Sequence, residues 1–297
     1  MTITDNTKLL YKYNNKGSTV EIYEDGTKIR YVHGNEFYQP ESVDFKITNY
    51  CDRNCLYCHE SCSTEGGFAD IDNLFVLDGL MPGTEIALGG GDVFAHPQLY
   101  DILHEMKDKE LIVNITCNQI HAAQYKKNIV ELQKEKFIYG VGISMECADT
   151  TQSITPLSKI ENKVTHVIAG LVSAQDIENI LSNGYNVLIL GYKQVGRGKE
   201  FYNQRIQDNI NKLRMYVAHL MNQKKSVLSF DNLAIEQLGI KHILSAENRE
   251  DLFMGEDGKF SMYVDLVDMM YAKSSAHTRY PIEERTIIEL YQKMNKK

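Results

Sequence analysis

Cys51, Cys55, Cys58 and Cys62 fall within twelve residues, while Cys117 and Cys147 stand alone. The stretch Cys51-Asp52-Arg53-Asn54-Cys55-Leu56-Tyr57-Cys58 has the spacing C-x3-C-x2-C. In a chain of this size, clustered cysteines read as a metal or redox site rather than a disulfide framework. An iron–sulfur cube takes four cysteine ligands, so three leave one iron free for a small ligand. Cys62 keeps a second reading open, because a fourth thiolate would close a structural zinc shell or a ferredoxin-like cluster.

These residues need a frame to hold them. Residues 18–33 alternate apolar and polar about Glu24-Asp25-Gly26, which predicts an N-terminal β-hairpin. From residue 43 onward short apolar runs alternate with helical stretches. The runs are 43–49, 85–89, 111–117, 138–145, 164–169 and 186–192. Each reads as a parallel strand buried on both faces. Candidate helices lie at 71–80, 97–109, 122–135, 151–160 and 174–183. Six β-α units in a row predict an α/β fold, a partial (β/α)6 TIM-like barrel. Beyond residue 200 the expectations are a helix over 200–223, a strand at 226–230, a hairpin turning at Glu256-Asp257-Gly258 and a last helix near 282–294. The expected organisation is thus a hairpin extension over 1–42, a barrel core over 43–200 and a C-terminal α/β extension over 201–297. The cysteine motif follows the first core strand directly, at the edge where catalytic loops of barrels lie.

The motif and its place resemble the radical SAM superfamily, whose signature is C-x3-C-x-Φ-C with an aromatic at Φ, here Tyr57. The resemblance implies one [4Fe–4S] cluster on Cys51, Cys55 and Cys58, with S-adenosylmethionine (SAM) on the fourth iron. Gly89-Gly90-Gly91-Asp92 ends the second core strand, where the family carries Gly-Gly-Glu and its backbone meets the SAM amino group. Glycine fits a close backbone approach, so Gly90 and Gly91 carry more weight than Asp92, which is one methylene shorter than Glu. Thr116-Cys117-Asn118 resembles the family's Thr-Asn-Gly, and Ser144 ends the fourth strand, where a polar residue meets SAM. Residues 190–198, LGYKQVGRG, resemble the sixth strand end of peptide-modifying and molybdopterin-type members, which brings Lys193 and Arg197 to the SAM carboxylate or the substrate. The resemblance covers about residues 43–200.

The activity implied is reductive cleavage of SAM to a 5′-deoxyadenosyl radical, followed by hydrogen-atom abstraction from a substrate. The substrate expected is a peptide or protein side chain; a small molecule or nucleotide is the alternative, and a non-enzymatic iron–sulfur or zinc protein is the alternative of a different class. An external one-electron reductant, of flavodoxin or ferredoxin type, is the implied partner. Cys147 reads either as a hydrogen donor at a strand end or as a small buried residue, and Cys117 leans towards core. His59 reads as a loop residue or a contact to SAM or substrate, and His96 is placed at the start of the second crossover helix. The formal charge of −8 disfavours a nucleic-acid partner. No apolar run approaches the ~18–20 residues that cross a bilayer, and the N-terminus lacks a signal-peptide stretch, so a cytoplasmic chain is expected. No cysteine follows Cys147, which excludes auxiliary clusters in the C-terminal half.

Overall fold

The computed structural model describes residues 7–145, 157–223, 225–246, 248 and 252–296. Cys147 and most of the expected helix 151–160 lie outside these residues. The N-terminal sheet has three antiparallel strands in the order β1 (Leu9–Asn14), β2 (Ser18–Tyr23), β3 (Lys28–Val32). The expected hairpin is β2–β3, turning at Asp25-Gly26 with Gly26 at φ 83°, a conformation open to glycine at no steric cost. The sequence reading missed β1, which pairs along β2 and makes the extension a sheet rather than a lone hairpin.

The second sheet begins with β4 (Ser42–Thr48), β5 (Glu85–Gly90), β6 (Ile112–Asn118), β7 (Gly140–Ser144), β8 (Lys163–Ile168) and β9 (Val187–Leu190). These six expected strands are parallel neighbours in sequence order. Two more join them in parallel, β10 (Leu228–Phe230) beside β9 and β11 (Ser261–Asp265) beside β4. The antiparallel strands β12 (Met270–Ala272) and β13 (Tyr280–Pro281) complete a ten-stranded sheet. The architecture is therefore mixed α/β with a large parallel sheet, wider than six units. The C-terminal hairpin is β11–β12 and turns between Asp265 and Met270, not at Glu256-Asp257-Gly258. Among its described residues the first arm expected there makes no strand, and β11 pairs with β4 and β12.

The helices that cover the sheet include α1 (Leu99–Asp108), α2 (Gln119–Gln124), α3 (Lys126–Lys134), α4 (Ala174–Ser182), α5 (Arg197–Phe201) and α6 (Gln204–Met221). After them come α7 (Asn232–Leu238), α8 (Ile240–Ile243) and α9 (Ile287–Asn295). The expected helix 71–80 is a 3-10 segment, Ile71–Leu77, and 122–135 divides into α2 and α3 at Tyr125. Both α4 and α6 bury apolar positions at helical spacing, such as Ile206, Ile210, Leu213, Val217 and Leu220.

Strand alternation sets the two faces apart. Val43, Phe45 and Ile47 of β4 belong to the core cluster with the helices, as do Ile86, Leu88 and Ile115. The opposite, inner face carries Asp44 and Lys46 of β4, so this strand is not apolar on both faces as its composition implied. In register with Asp44 are Ala87, Asn114 and Gly140, and Gly89 is in register with Lys46. Thr116 pairs with Gly142, and Asn118 with Ser144. A barrel interior is ordinarily filled by bulky branched side chains. Small residues on three adjacent strands leave space on this inner face instead.

Candidate active site

The cysteine motif forms the loop that leaves β4. Its base is held by Cys51 N–H donating to Ser63 O (2.9 Å), and its middle turns with Cys58 N–H donating to Cys55 O (3.2 Å). Arg197 braces the loop from the start of α5. Its Nε donates to Cys55 O (3.0 Å), its Nη2 to Cys62 O (2.7 Å), and its backbone N–H to Ser61 Oγ (3.1 Å). Gly196 is needed at this contact, since a Cβ there would stand 2.4 Å from His59 O. Arg197 thus serves the cysteine loop itself. Tyr57 packs 6.2 Å, ring centre to ring centre, from Phe201 of the same helix.

Cys51, Cys55 and Cys58 are half-buried, whereas Cys62 and Cys117 are buried. Burial pushes the Cys51 thiol up. Cys58 is brought down to about 6, first because Cys62 donates a hydrogen bond to it and despite its own burial. Cys62 moves the opposite way for the same reason. Cys117 packs among core residues and is pushed up to about 12 by burial. Among the described residues, Cys51, Asp52 and His121 form the group whose ligand atoms all lie within 4.8 Å of one another. The three thiols of the motif do not crowd together in this way. A single zinc with Zn–S bonds of about 2.3 Å would need them to, while a four-iron cube spaces its ligands around its corners. The donor set therefore fits a cluster better than one ion.

Gly90 and Gly91 of the second core strand end pack closely against the cysteine loop. A Cβ on Gly91 would lie 1.9 Å from Tyr50 O and 3.1 Å from Cys51 Cβ, and one on Gly90 would lie 2.3 Å from Thr48 O. These two glycines let β5 run against the cysteine loop, fixed by Gly91 N–H to Thr48 O (2.8 Å) and Asp92 N–H to Tyr50 O (2.7 Å). Of the three glycines 89–91, Gly89 alone has space for a Cβ, which would meet nothing within 4 Å. Asp92 is buried and accepts a hydrogen bond from Phe94 N–H (3.1 Å). Asn118 caps α2 by accepting from Ile120 N–H (2.8 Å), and Ser144 ends β7 on the inner face. Lys193 Nζ donates to Ser275 Oγ (2.7 Å), which ties the end of β9 to the C-terminal segment. His96 stands ahead of α1 and is buried, with Nε2 3.2 Å from Ala69 O.

Sequence reasoning missed a buried ion network beside the loop. Lys46 Nζ lies 2.8 Å from Glu60 Oε2 and 2.8 Å from Asp265 Oδ2. Arg279 reaches the same two carboxylates at 2.9 Å each. Burial works against ionisation of Glu60, but His59, Lys46 and Arg279 override it and hold the carboxyl at about 2. His59 is itself held at about 3, by burial and then by Lys193, so at neutral pH the two full cations carry this effect. The available signal was Asp44 and Lys46 two apart in an otherwise apolar strand. Above the network a cavity of about 430 Å³ opens between the cysteine loop and the C-terminal segment, lined by His59, Ser63, Glu65, Ser275, His277 and Arg279 among others.

This arrangement has known structural counterparts. SuiB from Streptococcus suis, solved bound to S-adenosylmethionine, superposes on all of this chain and 90% of its own, with a TM-score of 0.64 at 12% identity. The fold is that of SuiB. A second SuiB structure matches 98% of this chain and 88% of its own, with a TM-score of 0.60 at 13% identity. SuiB bound to its precursor peptide SuiA matches 86% of this chain with a TM-score of 0.59 at 14% identity, and this chain spans 65% of that SuiB chain's length. No family model and no curated protein matches the sequence.

Proposed function

We propose that this chain is a radical SAM enzyme whose substrate is a peptide or protein side chain. The observation that carries the reading is the C-x3-C-x2-C loop at the end of β4, with three half-buried thiols, beside strands β5 and β7 whose sequences are rich in small residues. Cys51, Cys55 and Cys58 would hold a [4Fe–4S] cluster. When bound, cluster and SAM supply one-electron reductive cleavage and hydrogen-atom abstraction. The chain's own residues position and shield. Arg197 orders the loop, and the Gly90-Gly91 backbone brings the end of β5 against it. Gly89, Asn118 and Ser144 offer SAM a rim with room and polar groups, and Lys193 offers a cation. The C-terminal segment, tied down by Lys193–Ser275 and Arg279–Glu60, limits water at the opening, which a radical reaction needs. The strand order supports a partial barrel with this loop at its mouth.

The peptide reading is supported by the SuiB complex with SuiA. A small-molecule substrate is favoured by the cavity volume, which lies in the range of small-ligand sites. Anaerobic reconstitution followed by reduction with a flavodoxin- or ferredoxin-type donor and SAM tests the function. About four irons per chain and release of 5′-deoxyadenosine are expected. Tightly bound zinc with no SAM cleavage would refute the assignment. No described helix is long and apolar enough to cross a membrane.

A further inference from the structure

Three consecutive strand ends converge beside Cys51. From β4 come Cys51 and Asp52, from β5 come Gly91 and Asp92, and β6 passes through Asn118 into α2, whose His121 is 1% exposed. His121 Nε2 lies 2.7 Å from Asp52 Oδ1. Its Nδ1 is buried, has no hydrogen-bond partner among the described residues, and stands 3.7 Å from Asp92 Oδ1. A fully buried imidazole with one nitrogen unsatisfied is costly where a surface carboxylate is its main partner. Asp52 is half-exposed and needs no buried partner for its own sake. What the pair gains is a fixed charge arrangement next to Cys51. Groups just outside a metal's ligands orient those ligands and tune the metal, and the potential of an iron–sulfur centre follows the charge and hydrogen bonds around its sulfurs.

We propose that His121 is a positioning residue for the cluster, offsetting the Asp52 carboxylate beside Cys51 by donating a hydrogen bond from Nε2. The inference rests on the reading above, that Cys51 is a cluster ligand. Reduction adds one negative charge at the cluster. A bare carboxylate beside a ligand opposes that charge, and a hydrogen-bond donor held on the carboxylate lessens the opposition.

Two substitutions should therefore move the midpoint potential of the reconstituted protein in opposite directions. His121→Ala bares the carboxylate and lowers the midpoint; Asp52→Asn removes the charge and raises it. His121→Gln, which can still present a donor to Asp52, stays close to wild type. A link that merely braced the loop would be lost in His121→Ala but kept in Asp52→Asn, whose amide oxygen still accepts from Nε2, so Asp52→Asn would then leave the midpoint unmoved. The measurement is an anaerobic redox titration followed by electron paramagnetic resonance, with iron content determined on each sample. Shifts of one sign, no shift, or a His121→Gln midpoint as low as that of His121→Ala overturns the proposal. Should His121→Ala fail to fold, Asp52→Asn on its half-exposed site and His121→Gln decide the matter by the same signs. A wild-type chain that takes up no iron overturns the functional reading and this inference with it. A loaded wild type with indifferent variants overturns the inference alone.

Discussion

Asp265 is fully buried at the seam between β4 and β11. Its Oδ2 receives Lys46 Nζ at 2.8 Å and Arg279 Nη1 at 2.9 Å, and its Oδ1 accepts the backbone N–H groups of Val267 and Asp268, each at 3.1 Å. Asp265→Asn keeps the size and the backbone acceptor but leaves two cations, Lys46 and Arg279, facing one buried carboxylate, Glu60, with the exposed Asp268 carboxylate 3.9 Å from Lys46. Breaking a buried ion pair costs about 3–5 kcal/mol. Because Glu60 still touches both cations, the lower end applies, about 3 kcal/mol. With a urea dependence of about 3 kcal/mol per molar, the unfolding midpoint should fall by about 1 M. Adding Lys46→Met restores the balance of one cation to one carboxylate, so the double variant should recover about 1–2 kcal/mol of that loss. Urea titrations by circular dichroism, at equal iron content, measure both. A loss below about 0.5 kcal/mol, the ordinary scale of surface changes, or a double variant equal to the sum of the singles, would refute the reasoning.

The remaining predictions concern the loop, the glycines and pH. Cys55→Ala should abolish iron loading and SAM cleavage while Cys62→Ala spares both, as read by iron content and 5′-deoxyadenosine. Gly91→Ala places a Cβ against the Tyr50 carbonyl and should cost about 3 kcal/mol, whereas Gly89→Ala should fold normally; thermal unfolding separates them. His166 is held at about 4 by burial and then by Lys193, so the folded state binds fewer protons than the unfolded one between pH 6.5 and 4. That contribution is complete above pH 6.5 and is lost as pH falls towards 4, by about 2 kcal/mol after allowing for its partial exposure. Stability measured against pH should be flatter in His166→Gln over that window; an unchanged slope would count against it.

All six core strands were legible because each is a short apolar run closed by turn residues, and parallel order follows from the helices between them. β1 was not legible, since Leu9–Asn14 mixes Tyr, Lys and Asn and becomes a strand by pairing with β2. Strand β11 was assigned the wrong partner, the segment before Glu256-Asp257-Gly258, because Asp-Gly is a strong local signal, and only the tertiary fold shows that it pairs with β4 and β12. At the proposed site, the three cysteines stand out by spacing alone, and the structure places their loop after β4. His121 was not: nothing near it in sequence marks it, and its role arises where three strand ends meet.

The sequence by itself supplied the cysteine motif on which the proposed metal chemistry rests, because ligand number and spacing within one loop are local properties. It also settled where that loop sits, since a motif directly after a strand lies at that strand's end. Only the tertiary structure decided which contacts Gly90, Gly91 and Arg197 make. Gly90 and Gly91 meet backbone from another strand, and Arg197 meets carbonyls roughly 140 residues away in sequence. It alone revealed the charge network of Lys46, Glu60, Asp265 and Arg279. Buried charges are stable only when paired, and pairing across four separate segments is a fact of packing that no local pattern records.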